Sequence, residues 1–381
     1  DRRPLIEALS DRCDHRIKLH DFDRAAQDAS EGLALADTFD APVQLAKFRN
    51  LLGRMDHATG DFVSAKQHLE AALDLARSQN AQALELDILF NLAQLPFIQG
   101  DLLAAQRQFE RYSNLALARG FTVMAARAGN VLGWLMLRLG RLEEAEQFYR
   151  DALEAAEHLK DLGQQASICS NLGTLLMQQG RLDTASEYYQ QSLERSQQLG
   201  HAEHSVTAQI NIAILELVRN NLDKANETLQ AINDQQGPRL LSWASSLRCL
   251  VNGLESNLDQ ASTQFQTARD KSSLSGDPIA MAFAEICSTG IALARAEQAL
   301  TEGNVSQAIE QIESIEHKIE SVRAPLPSPD GSVQRSAAEQ EGDIRVVLGV
   351  IEPRLEALKE QLSDLDMVNK VVAAERSESS T

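Results

Sequence analysis

The sequence predicts an all-α fold, a solenoid of about eight stacked helical hairpins followed by one amphipathic helix. Hydrophobic residues make up 43% of the chain, enough to bury a core, while aromatic residues make up only 4%. Leu, Ala, Gln and Glu are abundant, and this mixture favours helix over sheet. The phrase "VLGWLMLRLGRLEEAEQFYRDALEAA" also returns 40 residues later as "NLGTLLMQQGRLDTASEYYQQSLERS", which indicates a repeat architecture.

The repeat is defined by one alanine in each copy, and eight copies span residues 1–320. Six alanines follow one another at intervals of 40 residues, and two looser copies follow at intervals of 36 and 47. The marker alanines are Ala25, Ala65, Ala105, Ala145, Ala185, Ala225, Ala261 and Ala308. A small residue stands twelve positions before each alanine, an apolar residue three before it, and a bulky residue four after it, with Ala29 as the exception.

These spacings predict pairs of antiparallel helices. A small residue on each helix lets the two backbones approach closely, and the bulky residue fills the space beside that contact. One hairpin cannot bury its own apolar face, so we expect the hairpins to stack around a shared core.

This skeleton resembles the tetratricopeptide repeat (TPR) over about residues 5–318. The period is 40 residues rather than the usual ~34, and the proline that usually closes the second helix is absent. Long repeats of this kind are similar to those of Pins/LGN adaptors, Rap-type peptide receptors and MalT-like bacterial regulators. The resemblance implies a right-handed superhelix whose first helices line a concave groove for a partner protein or peptide.

The resemblance also implies ligand-facing positions, the second, fifth, sixth, ninth, twelfth and thirteenth of each repeat. The partner-binding candidates among them are Lys47, Asn50, Arg54, Asn91, Phe97, Arg127, Asn130, Trp134, Arg138, Asn171, Met177, Asn211 and Ile214. Asparagine recurs at one position, where the resemblance implies an amide that holds a peptide backbone, and a scaffold role is the alternative. Pro96 within a first helix either widens the groove near Phe97 or is tolerated by the array.

Charge distinguishes the groove from the chain as a whole, which has a net charge of −19. Such an acidic surface repels nucleic acid and anionic membranes. Five consecutive repeats offer thirty ligand-facing positions with four Lys/Arg and one acid, Asp87, where the chain average would give about four acids. The groove is therefore expected to favour a ligand with acidic side chains or a free carboxylate, unless the shortfall is chance or reflects partial packing.

The chain after the array changes character. Residues 321–342 carry three prolines and are predicted to be a flexible linker. Residues 343–376 are predicted to form an amphipathic helix, which Pro353 would begin. Its coiled-coil pattern consists of Leu348, Ile351, Leu355, Leu358, Leu362, Leu365 and Val372, with Asn369 in the seam. The helix either caps the last repeat or forms a homodimer through residues 348–372 and connects to an output domain.

No catalytic motif, cofactor motif or metal-ligand set is evident, so the sequence predicts a protein that is not an enzyme and needs no cofactor and no metal. His201 and His204 could offer two metal ligands, but no third ligand is evident on the same face of the helix. The alternative interpretation is that they lie at a solvated helix start. Four widely spaced cysteines indicate reduced thiols and a cytoplasmic location. Because the chain begins at Asp1 rather than Met, we expect a fragment or a processed form.

Two functions remain open at this point. The first is a non-catalytic scaffold or adaptor that captures a partner segment in its groove. The second is the sensor or regulatory domain of a bacterial signalling protein, such as a diguanylate cyclase, a kinase or a transcription regulator.

Overall fold

The computed structural model of the chain describes residues 3–18, 21–233, 236–323 and 342–378. These residues form eighteen α-helices and no strand. The first unit, residues 1–160, holds α1 (Arg3–Lys18), α2 (Phe22–Thr38), α3 (Pro42–Thr59), α4 (Phe62–Ser78), α5 (Gln82–Ile98), α6 (Leu102–Ala118), α7 (Thr122–Arg138) and α8 (Leu142–His158). In the second unit, residues 161–381, the hairpin helices are α9 (Leu162–Gln178), α10 (Leu182–Gln198), α11 (Ala202–Val218), α12 (Leu222–Gln230), α13 (Pro238–Leu254), α14 (Leu258–Ser275), α15 (Pro278–Cys287), α16 (Thr289–Thr301) and α17 (Val305–Arg323). The tail helix α18 (Gly342–Glu378) follows in the same unit.

The marker alanines lie in the interior of the helical hairpins. All eight marker alanines have 0% of their surface exposed. Each second helix of a hairpin begins at the apolar residue three positions before its alanine. The small residue of the first helix faces the bulky residue of the second, since a methyl group added to Gly133 or Gly173 would lie 2.6 Å from the ring of Tyr149 or Tyr189. Small and bulky residues therefore set the distance between the two helices of a hairpin.

A left-handed residue ends the first helix of the hairpins from α3 onward. Gly60, Gly180 and Asn220 have φ angles of 88°, 74° and 57°. The residue after each of them donates its amide proton to a carbonyl five positions earlier, at 2.8–2.9 Å, which is the Schellman arrangement. Asp61 then caps α4 by accepting from the Ser64 amide at 3.0 Å.

Three features depart from the regular repeat. Helix α12 has only nine residues, and the first helix of the eighth hairpin is divided at Ser288 into α15 and α16. Helix α5 continues through Pro96, so this proline is tolerated. The apolar segment Ile279–Thr301 is long and apolar enough to cross a membrane, but 72% of its 18-residue apolar window is buried, as in a core helix.

The tail helix begins earlier than Pro353 and packs within the chain, as one of the two alternatives expected. It begins at Gly342, so Pro353 lies inside the helix and the prediction that it starts there was wrong. Its apolar face is buried against α11, α15, α16 and α17. The buried residues are Ile344, Val347, Leu348, Ile351, Leu355 and Leu358. Half of the predicted dimer seam is thus covered within the chain, while the predicted linker falls mostly on residues 324–341, outside the described residues.

Substitution at Gly173 tests the close helix contact. The Gly173→Ala change should lower the thermal midpoint, because overpacking costs about 1–3 kcal/mol and exceeds the gain of roughly 1 kcal/mol in helix propensity. The matched control is Gly349→Ala in α18, where an added methyl group meets no atom within 4 Å and the midpoint should stay or rise. Circular dichroism melts of both variants would contradict the packing argument if the two midpoints moved together.

Candidate functional site

The first helices of consecutive repeats share one cavity in the first unit. It has a volume of about 240 Å³ and takes lining residues from α1, α3, α4, α5 and α7. Its lining residues are Ile17, Gly53, Arg54, His57, Leu69, Asn91, Gln94 and Arg127. We call the ligand-facing positions of α3, α5 and α7 the inner wall of the first unit. Three predicted site residues, Arg54, Asn91 and Arg127, therefore meet at one point of that wall.

Side-chain amides connect neighbouring repeats across this wall. The Asn91 amide nitrogen donates to the Asn50 carbonyl oxygen at 2.9 Å. The second unit repeats the arrangement, with Asn211 donating to the Ser170 hydroxyl at 2.9 Å. The recurring asparagine thus has a scaffold role. An amide also carries a second N–H and an acceptor oxygen, so one such bond does not exhaust its capacity to hold a peptide backbone.

Two arginines supply the positive charge of the cavity. Arg54 pairs with Asp14 of α1, and the Arg127 guanidinium lies 3.8 Å from the centre of the Phe90 ring. Desolvation by the wall lowers the pKa of Arg127 and, in the same way, the pKa of His57. Because a lowered imidazole pKa leaves His57 neutral at pH 7, the arginines alone carry the charge.

Asp87 is the one predicted acid of the wall, and it lies near both arginines. Desolvation raises its pKa, while the charges of Arg127 and Arg54 oppose that shift. The side chain is exposed to solvent, so only part of the carboxyl group's surroundings is protein. Ionisation of Asp87 in the folded protein is therefore less favourable than in water.

An apolar cluster stands further along α5 and α7. The rings of Phe97 and Trp134 meet edge to face at 4.5 Å between centroids. The Arg138 guanidinium lies 5.1 Å from the centre of the Trp134 ring. Lys47 and Asn130 are half-buried on the same wall and do not line the cavity.

We call the ligand-facing positions of α9 and α11 the inner wall of the second unit, and it differs because the tail helix lies against one end of it. Met177, only 6% exposed, lines a cavity of about 370 Å³ with Leu217 and Val218 on one side and residues of α18 on the other. Ile214 is 1% exposed and belongs to the core. It therefore offers no surface to a ligand, which corrects its prediction as a pocket residue. Asn171 remains half-buried on α9.

Sequence reasoning missed two contributors to these sites. Asp14 neutralises part of the charge of Arg54, but it lies on α1, a helix whose ligand-facing positions were not considered. The tail residues that line the cavity of the second unit are Val346, Gly349, Val350, Pro353 and Arg354. The spacing of apolar residues in the tail predicted that the helix packs against another surface, but it did not identify that surface.

A further cavity of about 530 Å³ lies away from this wall, between α4, α5 and α6. Leu89, Leu92, Leu95 and Pro96 contribute to it. Proline has no amide proton, so it gives the Leu92 carbonyl no helical hydrogen bond. The predicted effect of Pro96 on the groove near Phe97 is thus not seen, and the proline borders this other cavity instead.

Removing the charge of Asp87 tests the electrostatics of the wall. A carboxyl group with a higher pKa in the folded state than in the unfolded state destabilises the protein at pH values where the group is ionised. The Asp87→Asn change should therefore raise the thermal midpoint at pH 7, and the gain should disappear near pH 3, where both states are protonated. The control Asp74→Asn, on an exposed face of α4, should leave the thermal midpoint unchanged at both pH values. A lower midpoint for Asp87→Asn at pH 7 would show that its pairing with the arginines dominates.

Comparison with known proteins supports this description of the repeats. Models of the tetratricopeptide repeat match residues 126–159 and 164–232. No curated protein matches the chain significantly in sequence.

Several solved structures share the fold at low identity. One is a Rap protein complexed with competence and sporulation factor, with 13% identity and a TM-score of 0.55, over 95% of this chain and 99% of that chain. Another is the Rap conjugation gene regulator of plasmid pLS20 in complex with the Phr* peptide, with 12% identity and a TM-score of 0.52, over 91% and 98%. A third is a STAND signal-transduction ATPase with a tetratricopeptide repeat sensor from Pyrococcus horikoshii, with 13% identity and a TM-score of 0.53, over 70% and 41%.

Proposed function

We propose that this chain, which is a tetratricopeptide-repeat protein, is a non-catalytic cytoplasmic adaptor that captures an acidic peptide segment of a partner protein. The observation that carries the proposal is the cavity where Arg54, Asn91 and Arg127 meet in the first unit. Guanidinium groups recognise carboxylates, and the neighbouring amide of Asn91 suits a peptide backbone. Two structures of similar fold are complexes, one with competence and sporulation factor and one with the Phr* peptide.

The wall also gives the ligand a second point of contact. Phe97 follows Asn91 by six residues, which is about 9 Å along α5 at ~1.5 Å per residue. An extended peptide spans that distance with about three residues at ~3.3 Å each. The proposed ligand therefore carries an acidic side chain or terminal carboxylate about three residues from an apolar side chain that packs on Phe97 and Trp134.

Trp134 provides a direct readout of this binding. We expect acidic peptides with that spacing to change Trp134 fluorescence in a chain whose other tryptophan, the buried Trp243, is replaced by Phe. The Arg127→Glu and Asn91→Ala changes should each weaken binding about tenfold or more, because each removes a contact that is partly shielded from water. The control is Arg107→Glu, which reverses a charge on the exposed face of α6.

The control separates specific recognition from a general attraction between an acidic peptide and any cation. Equal losses in Arg107→Glu and Arg127→Glu would indicate a long-range charge effect that falls with salt. Unchanged binding in both Arg127→Glu and Asn91→Ala would exclude the inner wall of the first unit as the site.

A second candidate function is a regulatory domain of a signalling protein, whose output the tail helix would control. It is favoured by the fold shared with the repeat sensor of the STAND ATPase and by the contact of α18 with ligand-facing positions of the second unit.

The two functions differ in how the chain assembles. Because Leu348, Ile351, Leu355 and Leu358 are buried within the chain, sedimentation equilibrium should show a monomer in the absence of ligand. Leu358→Asp should not alter that mass. A stable dimer that Leu358→Asp converts to monomer would instead establish the tail helix as a dimerising connector.

A further inference from the structure

The tail helix presents one apolar face to the second unit. Its buried residues from Ile344 to Leu358 fall at intervals of three, one, three, four and three positions, which places them on one side of a helix. The opposite side carries exposed Glu356 and Glu360. The second unit therefore already holds an amphipathic helix in the manner of a helix-in-groove complex.

The surface under α18 coincides with ligand-facing positions of the array. Met177 and Leu217 occupy the twelfth position of their repeats, and Val218 the thirteenth. All three line the cavity that α18 closes. A ligand that reached these positions would have to share the wall with α18 or replace it.

The fit of α18 to this part of the wall is incomplete. A cavity of about 370 Å³ lies between them, and Gly349 and Pro353 stand at its edge with their surfaces exposed to solvent. Pro353 lies inside the helix and cannot donate to the Gly349 carbonyl. Because glycine and proline both disfavour a helix, α18 is a weaker helix than a segment with better helix formers at these two positions.

The polar contacts that the described side chains of α18 make with the rest of the unit lie at the surface. Arg354 donates to the Asn220 side-chain oxygen at 2.6 Å, and Lys359 pairs with Glu316 at 2.7 Å. Arg323 of α17 pairs with Glu352. Exposed ion pairs contribute little to stability, so these contacts orient α18 more than they fasten it.

From this placement we propose that the inner wall of the second unit is an interaction surface for an amphipathic helix, and that α18 is its exchangeable occupant. The partner helix carries apolar residues at the spacing of Ile344 to Leu358, a basic residue at the position of Arg354, and larger side chains in place of Gly349 and Pro353. The proposal does not rest on the peptide site of the first unit, since it involves other residues and another class of ligand.

The test uses the full chain and labelled synthetic peptides of residues 342–363. The parent chain should bind the parent peptide weakly, because the resident copy competes at a high effective concentration. The chain variant Ile351→Asp cannot dock its own α18, since this side chain is 0% exposed, and should bind the peptide at least about tenfold more tightly. A peptide with Gly349→Leu and Pro353→Leu should fill the cavity, displace α18 from the parent chain and accelerate hydrogen exchange in residues 342–363 of the chain.

Matched controls make the result specific. The peptide carrying Ile351→Asp should not bind either chain, and the chain variant Glu360→Lys, altered on the exposed side, should behave as the parent. Arg127→Glu in the first unit should leave peptide binding unchanged, which separates this surface from the proposed peptide site. The proposal is overturned if the Ile351→Asp chain keeps its helical circular dichroism but binds no peptide, or if it unfolds, because α18 would then be a fixed part of the core.

Discussion

The close approach of two helices within each hairpin is the constraint on which the rest of the structure depends. A glycine, alanine or cysteine in the first helix permits this approach, and the buried marker alanine does so in the second. The contact tolerates almost no change, since even one methyl group at Gly133 would meet the Tyr149 ring at 2.6 Å. Left-handed residues such as Gly180 then return the chain at a fixed point. Once the helix separation and the end of each first helix are fixed, successive first helices lie side by side and their exposed positions form a wall.

Local patterns made the array predictable from sequence, whereas the exceptions arise from contacts between distant residues. The register was predictable because a small residue and its bulky neighbour lie sixteen positions apart in every hairpin except the first. The shortened α12 and the division at Ser288 were not, since α12 ends early in the first irregular interval and Ser288 lies within the last one. Of the site, the register placed Arg54, Asn91 and Arg127 at ligand-facing positions of successive repeats, whereas their meeting at one cavity is seen only in the structure. The neutralising Asp14 and the covering tail helix come from opposite ends of the chain, and no spacing rule relates them to the wall.

The chemistry of the first wall depends on arginines that are held rather than free. Arg127 stacks on Phe90, and Arg138 lies over Trp134, so each guanidinium keeps its charge while its flat face is packed against a ring. Such packing reduces the conformational entropy that an arginine loses when it binds a carboxylate. A net charge of −19 on the whole chain makes a local positive surface more selective, because an acidic ligand is repelled elsewhere.

The two walls also differ in whether they need a cover when no partner is bound. The first wall exposes amides, arginines and one carboxylate, which water solvates well. The second wall offers Met177, Leu217 and Val218, and an apolar surface of this kind left open would favour aggregation. Helix α18 lies against that surface, yet its exposed Gly349 and Pro353 border the cavity beside it and disfavour the helix in which they stand. A cover that is adequate but not optimal protects the wall in the unbound protein and leaves room for a better-fitting helix to replace it.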